Sequence, residues 1–506
     1  MGAPNTSPTN DEEGARPLLP VASKAVPRYS YYALIILSLV NFLNYIDRQV
    51  LPAVAPLMLE DPELRLTHAE LGYIEAALLL SFTVLAPLFG RLGDRRSRTK
   101  LMASAAVIWS VATALTGVVD RIPFLPAAVQ LQIPLVQFTL QMSGAALALC
   151  FVRAIVGIGE SSYSTITPSL IADYFPPQRR ATALGVFQAA IPLGFALGFV
   201  IGGLLAYFFG WRLAFMIVGV PGVLTALLVW RLEEPRRGAT DAPVIETALE
   251  EIAESPAETS KALGHDDARE PFMRTAWRIL STRDWILSTA GYTALTFALG
   301  AFATWATVLL VEDKSMTARN AAITLGLVTL LGGAVGTFGG GWLADRLVAR
   351  RRNAYFLVCA VATLLGIFPT LLALVSDNAF VYLPAIFFAV MLLFISNAPF
   401  HAILINSVPT MVRATAVALN IVFIHTFGDA ISRAAVGVIS DSLKAGHLIP
   451  LVMLARVMGI DANRQHLSAA LLLAPCALLV STFFFFWGAK TEMRRNDERA
   501  TLDDKR

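Results

Sequence analysis

Residues 90–98 read GRLGDRRSR, and residues 340–351 read GGWLADRLVARR. Each ends a long apolar run with glycine, an Asp-Arg pair and further arginines. A second pair stands in the same relation. PPQRRATALGVF (Pro176–Phe187) and VPTMVRATAVAL (Val408–Leu419) share the core Arg-Ala-Thr-Ala, and each opens an apolar run. One such echo is within reach of chance. Two in register make the chain a parallel internal repeat, six apolar runs followed by six more.

Composition agrees. Of 506 residues 56% are hydrophobic and only 15% charged, with a mean hydropathy of +0.62, whereas a soluble domain carries about 25% charge. A helix crosses a bilayer with about 20 apolar residues, and such runs are predicted at roughly 31–54, 69–91, 99–119, 138–171, 180–207, 212–232, 284–311, 318–345, 353–374, 379–406, 411–440 and 467–488. The expected fold is an all-α membrane protein of twelve transmembrane helices in two six-helix halves. Its expected divisions are a cytoplasmic tail (1–30), a first bundle (31–232), a cytoplasmic linker (233–283), a second bundle (284–490) and a cytoplasmic tail (491–506). The connections after even-numbered spans hold the positive charge, among them Arg91, Arg95, Arg96, Arg98 and Lys100, then Arg346, Arg350, Arg351 and Arg352. The opposite loops are acidic or mixed, so both termini are expected in the cytoplasm. Residues 1–27 contain no apolar signal region.

Three segments fall outside the repeat. Residues 120–137, with prolines at 123, 126 and 134, read as a re-entrant or surface loop; residues 447–465 read as an outer loop with room for a short helix. In the linker an amphipathic turn is expected around Val244–Ile252, and Arg231, Arg236 and Arg237 at its edge suit anionic lipid. The cysteines, Cys150, Cys359 and Cys476, lie far apart inside apolar runs and read as small hydrophobes.

Gly90-x-x-x-Asp94-Arg95-x-x-Arg98 resembles the second-loop signature of the major facilitator superfamily. The aspartate is suited to capping a helix and pairing with arginines as a latch between moving halves, and Asp345-Arg346 repeats it; the plainer alternative is a basic turn that sets topology. Span four holds RAIVGIGE, placing Arg153 and Glu160 two turns apart on one face. Charges inside a membrane face a cavity or a partner, so the pair reads as proton-coupling or substrate-contacting, against a structural salt bridge. Span one holds NFLNYIDRQVLP, with Asp47 and Arg48 about 100° apart and serving different neighbours; the static alternative is an Asp47–Arg153 pair. Span eleven carries His425, Asp429 and Arg433 at i, i+4 and i+8, with Ser432 alongside: a polar cavity wall, or an intrahelical network. Glu75, Asn397 and His401 read as satisfied core polar groups.

From GESSYSTITPSL (159–170) through VFQAAIPLGFALGFVIGG (186–203), with NYIDR before it and NSVPTMVRATAVALNIVFIHTFGDAISR after it, the chain resembles spinster-type transporters. The likeness covers nearly all of residues 31–442. It implies a secondary transporter of sphingosine phosphate or lysophospholipid, proton-driven in bacterial relatives, in a prokaryotic plasma membrane. Asp47 and Glu160 would be its proton-linked carboxylates; Arg48, Arg153, His425 and Asp429 also fall on the family's pattern. Arg433 departs from it, since proline commonly follows that serine, and an extra positive charge there suits another anion equally.

The rival readings are a proton-coupled organic-anion symporter, because NYIDR also resembles anion–cation symporters, and a non-transporting membrane receptor. No metal cluster, nucleotide loop or nucleophile triad points to an enzyme or cofactor, and basic residues bordering spans give no support for nucleic acid. The expected partners are membrane lipids, the amphiphilic or organic-anion substrate and protons, with the chain acting as a monomer.

Overall fold

The computed structural model describes residues 26–121, 126, 128–133, 138–237, 240, 272–348, 350–351, 353–409 and 412–503. Residues 1–25 of the N-terminal tail, the Val244–Ile252 turn and Arg352 lie outside that set. Hydrocarbon offers the backbone no hydrogen-bond partner, so each apolar run closes its own ladder as a helix. Among the described residues eleven helices are long and apolar enough to cross a membrane. One of them, Pro177–Trp230, has 54 residues, about 80 Å of helix against a hydrocarbon core of about 30 Å. Gly210 divides it: its φ of 80° is open to glycine and costly for other residues. Residues 177–209 and 211–230 are therefore the fifth and sixth of twelve crossings.

The others follow in order: Arg28–Leu59, His68–Arg95, Arg98–Thr116 and Gly144–Tyr174, then Arg283–Glu312, Ala318–Val348 and Ala354–Val375 as spans seven to nine. Span ten is broken at Ser396 into Ala379–Ile395 and Asn397–Asn406. Span eleven runs Arg413–Phe423, then a π-helical turn over Ile424–Ala430, then Ile431–Lys444. Span twelve comprises His466–Ala470 and Leu473–Asp503.

The expected start of span four at 138 is corrected. Val129–Ile133 and Phe138–Met142 pair as an antiparallel two-stranded ribbon in the register Val129↔Met142 to Ile133↔Phe138. The alternation in VQLQI has the period of a strand, and hydrophobicity alone hides it. The helix begins only after Ser143, whose hydroxyl accepts from the Ala146 amide at 3.1 Å. In the loop expected to have room for a helix, Ile449–Val457 is helical. Arg237, expected to face lipid, donates instead to the carbonyls of Asp94, Gly93 (2.6 Å) and Arg96 (3.3 Å), closing the exposed end of span two.

The halves touch most closely at one end. A Cβ at Gly72 in span two would stand 2.5 Å from the Arg433 carbonyl, and one at Gly437 in span eleven 2.3 Å from the His68 carbonyl, so these backbones meet only because neither residue has a side chain. Thr307 of span seven donates to the Pro52 carbonyl of span one. The main apolar core crosses there too, continuing from the first six spans into Trp305, Val308, Val436 and Leu443. At the opposite end the side chain of Asp94 is 82% exposed.

The turn between spans one and two is held by Asp61, which accepts from Arg212 at 2.6 Å, Trp211 at 2.8 Å and the Glu63 amide at 2.9 Å. Burial alone would raise this carboxyl; those donors outweigh it and hold it at about 2. Folding thus gains stability from Asp61 at any pH above the ordinary carboxylate range near 4, and loses that gain only as pH falls toward 2. Asp61→Asn is expected to lower the thermal midpoint in detergent at pH 7, by a loss of about 1–2 kcal/mol. The wild-type midpoint should gain nothing from this group between pH 5 and 7. An unchanged midpoint in the variant would show that the turn does not depend on the carboxylate.

Candidate functional site

Burial of charge in a membrane interior demands partners, and spans four, one, two and eleven supply them to one another. Arg153 and Glu160 are each 1% exposed, and each turns to a different span. Glu160 accepts from the Arg48 Nε of span one at 2.6 Å. Arg153 Nη2 lies 3.5 Å from the Glu75 carboxylate of span two. The same Glu75 is ion-paired through its other oxygen with Arg433 of span eleven. One carboxylate, 2% exposed, therefore stands between two guanidiniums from opposite halves.

A second connection crosses the same interface. The Arg48 guanidinium lies over the rings of Tyr45 and Phe82, 5.1 and 4.8 Å from their centroids. The edge of Phe82 meets His425 at 5.8 Å, and His425 Nδ1 is 2.9 Å from Asp429 Oδ2. The expected stripe of His425, Asp429 and Arg433 is thus brought to the interface, but not as a uniform α-helical face. The π turn over residues 424–430 winds the chain more slowly: His425 and Asp429 form the intrahelical pair, while Arg433 reaches across to span two.

Asp47 makes no ion pair within this network, among the described residues. It is 4% exposed, and its Oδ2 accepts from the Thr113 hydroxyl of span three at 2.5 Å while Oδ1 has no hydrogen-bond partner among the described residues. Asp47 and Arg48 serve different neighbours, as their angular offset predicts, and an Asp47–Arg153 pair is not what Arg153 makes. A carboxylate left with one donor in a buried site carries a desolvation cost of about 1–3 kcal/mol or more while ionised. Among the described residues Glu160 Oε1 likewise makes no hydrogen bond of ordinary length and angle, with the Asn44 side chain beside the carboxyl.

Beside the cluster, and chiefly within the second half, opens a cavity. Phe195 and Phe199 of span five, Leu325 of span eight, and Ile386 and Phe394 of span ten give it an apolar wall, with Asp429 and Arg433 at its polar edge.

The arginine-rich loops lie away from this centre. Arg98 pairs with Asp173 at 2.5 Å and Glu234 at 3.1 Å, joining the start of span three to the end of span four and the first residues of the linker. Asp94 has its nearest described guanidinium, Arg237, at 4.0 Å. Gly90 and Arg95 sit in the last turns of span two, where a Cβ at Gly90 would touch Thr165 at 3.4 Å. In the repeat, Asp345 accepts from the Tyr355 hydroxyl at 3.3 Å and Arg346 lies over Trp342. Glu75 is the residue that sequence reading undervalues. A single glutamate in an apolar run announces a partner without saying which, and its two partners lie 78 and 358 positions away. Asn397, by contrast, is satisfied as expected, accepting from the Tyr292 hydroxyl at 2.5 Å.

The sequence profile of the Major Facilitator Superfamily matches residues 37–432. The chain is 31% identical over 456 residues to protein spinster homolog 1 of Bos taurus, covering 86% of this chain and 76% of that protein. It is 29% identical over 437 residues to protein spinster of Drosophila melanogaster, covering 84% of this chain and 64% of the fly protein, slightly under two thirds of its length. Among solved structures, a bacterial homolog to the human lysosomal transporter spinster, in an inward-facing and unoccupied conformation, superposes with a TM-score of 0.74 at 19% identity, over 92% of this chain and 98% of that one.

Glu75→Gln strands two buried guanidiniums and is expected to destabilise the protein by about 3–5 kcal/mol, the cost of breaking a buried pair. Arg433→Gln leaves Glu75 with Arg153 and costs less. Combining them should restore part of the loss, with a coupling of about 1–3 kcal/mol in a thermal-unfolding double-mutant cycle. Strict additivity would mean that the two residues do not share the interaction described.

Proposed function

Given that the chain belongs to the spinster-type transporters of the Major Facilitator Superfamily, we propose that it is a proton-coupled secondary transporter that moves a lipid-like amphiphile, such as a lysophospholipid or sphingolipid, by alternating access. The observation that carries this reading is the cavity with phenylalanine and aliphatic walls and a polar edge of Asp429 and Arg433. An acyl tail gains roughly 25 cal/mol for each Å² of apolar surface removed from water, and a phosphate headgroup finds a guanidinium at the edge.

The halves rock about the cluster. With the arginine-rich loops and both termini in the cytoplasm of a bacterial plasma membrane, the contact through Gly72 and Gly437 closes the outer end, and the exposed Asp94 belongs to an unlatched inner end. This agrees with the fold's similarity to an inward-facing structure. Asp47 and Glu160 carry the proton: both are buried, and among the described residues each has one oxygen that makes no hydrogen bond and can take it. Arg48 holds Glu160. Arg153 and Arg433 hold Glu75, and a headgroup competing for Arg433 loosens the tie between the halves. A small organic anion is the weaker reading, because the cavity walls are chiefly phenylalanine and aliphatic and match an acyl tail rather than a compact polar solute. No step of this cycle is chemical, and the chain acts as a transporter rather than an enzyme.

In liposomes, an imposed pH gradient is expected to accelerate uptake of a labelled lysophospholipid. Asp47→Asn should abolish the acceleration while leaving the thermal midpoint of the purified protein near that of wild type; Glu160→Gln should abolish it too, at a lowered midpoint, because it leaves Arg48 without its carboxylate. Lipid movement indifferent to both the gradient and the substitutions would remove proton coupling. Absence of lipid movement by folded protein, with uptake of a small organic anion, would replace the amphiphile by the anion.

A further inference from the structure

At the closed end, span two enters between spans seven, eleven and twelve, and its first residue is held firmly. Thr67 and Glu70 form a reciprocal cap: the Thr67 hydroxyl accepts from the Glu70 amide at 3.1 Å, and Glu70 accepts from the Thr67 amide at 2.9 Å. This places His68, 3% exposed, against the face of Trp305, with ring centroids 5.5 Å apart, and beside His466 at 5.4 Å. His68 Nε2 lies 3.1 and 3.2 Å from the two oxygens of Glu312, the last residue of span seven. His466 Nε2 lies 3.6 Å from the same carboxylate.

We propose that His68, Glu312 and His466 form a binding site for a borderline divalent metal ion of the zinc type, contributed by both halves, whose occupancy clamps this end shut. Two imidazole nitrogens and one carboxylate are a donor set that suits zinc, with a fourth position left for water. Their ligand atoms all lie within 4.8 Å of one another. With bonds of about 2.0–2.1 Å, the edge of a coordination tetrahedron is roughly 3.3–3.4 Å, and the observed 3.1 and 3.6 Å separations bracket it.

The outer partners are those such a site requires. The Asp441 carboxylate lies 3.2 Å from His68 Nδ1 and accepts from the His68 and Ala69 amides at 3.2 and 2.7 Å. Ser440 lies 3.1 Å from His466 Nδ1. Each imidazole is thus steadied through Nδ1 by span eleven and presents Nε2 to one carboxylate, the arrangement that orients metal-bound histidines. Metal binding has His68 donate Nδ1–H to Asp441 and release any proton on Nε2, the nitrogen that faces the Glu312 oxygens. Lys444 supplies positive charge nearby, 3.0 Å from His68 Nδ1 and 3.6 Å from Glu312. Its side chain is 40% exposed, so it has a path into solvent when the metal enters. The three ligands join span two to spans seven and twelve, and bound metal therefore opposes separation of the halves. The binding stands on this geometry alone; the clamp rests on the alternating-access reading.

The test uses the full chain, purified and stripped with chelator, titrated with zinc and separately with magnesium while binding and the thermal midpoint are followed. One zinc per chain is expected, with a raised midpoint and no response to magnesium, which prefers oxygen ligands. His466→Ala should weaken affinity at least about tenfold, and Asp441→Asn by roughly 10–100-fold. Lys444→Gln should tighten it, a change in the opposite direction that no unfolding defect imitates. Absence of stoichiometric zinc binding, or binding indifferent to both His466→Ala and Lys444→Gln, overturns the site. Zinc on the side bearing the cluster should also slow uptake in liposomes. Binding without that slowing overturns the clamp and leaves the site standing, and binding in a protein that moves no lipid separates this inference from the transport reading.

Discussion

Glu75 offers one carboxylate to two guanidiniums, Arg153 from its own half and Arg433 from the other. In a low-dielectric interior no member of such a triad tolerates isolation, because removing one partner leaves an uncompensated charge. The constraint passes to the backbone. Span two has to lie against span eleven closely enough for Arg433 to reach Glu75, and the glycines at 72 and 437 allow that approach. Much of the geometry between the halves depends on keeping this charge paired.

The cluster and the closed end are parts of one construction. Trp305 stacks on His68 at that end, and its indole donates to the Arg433 carbonyl at 3.0 Å. Opening the end in the proposed cycle means unstacking His68 and shifting the segment of span eleven that carries Arg433. In that cycle the gate and the ion cluster move as one mechanical unit, and either a headgroup that drew on Arg433 or a metal that held His68 would act on the same coordinate. The π turn at 424–430 contributes here by setting His425 against Phe82 while Arg433 reaches Glu75.

Under the proposed function, the cavity beside the cluster is the site for an amphiphile rather than for a small anion. Its walls are phenylalanine and aliphatic, and its charged edge is already internally compensated. In that reading an incoming headgroup would exchange one partner of Arg433 for another, which is gentler than desolvating a bare cation and would couple recognition to the tie between the halves.

The paired loop motifs, the Arg-Ala-Thr-Ala echo and the apolar runs determined twelve crossings in two related halves, because a bilayer leaves a long apolar run little choice but a closed helical ladder. Local spacing also determined that Asp47 and Arg48 would serve different neighbours. What hydrophobicity alone misread was the pairing of Val129–Ile133 with Phe138–Met142, a stretch whose apolar residues alternate with the period of a strand. Partnership was decided only by the tertiary structure: Glu160 with Arg48, Arg153 and Arg433 with Glu75, and His68 with Glu312 and His466. A one-dimensional pattern states which face of a helix a charge occupies. Which charge it meets depends on how helices hundreds of residues apart are rotated and pressed together, and that is set by glycine contacts, caps and one π turn acting at once.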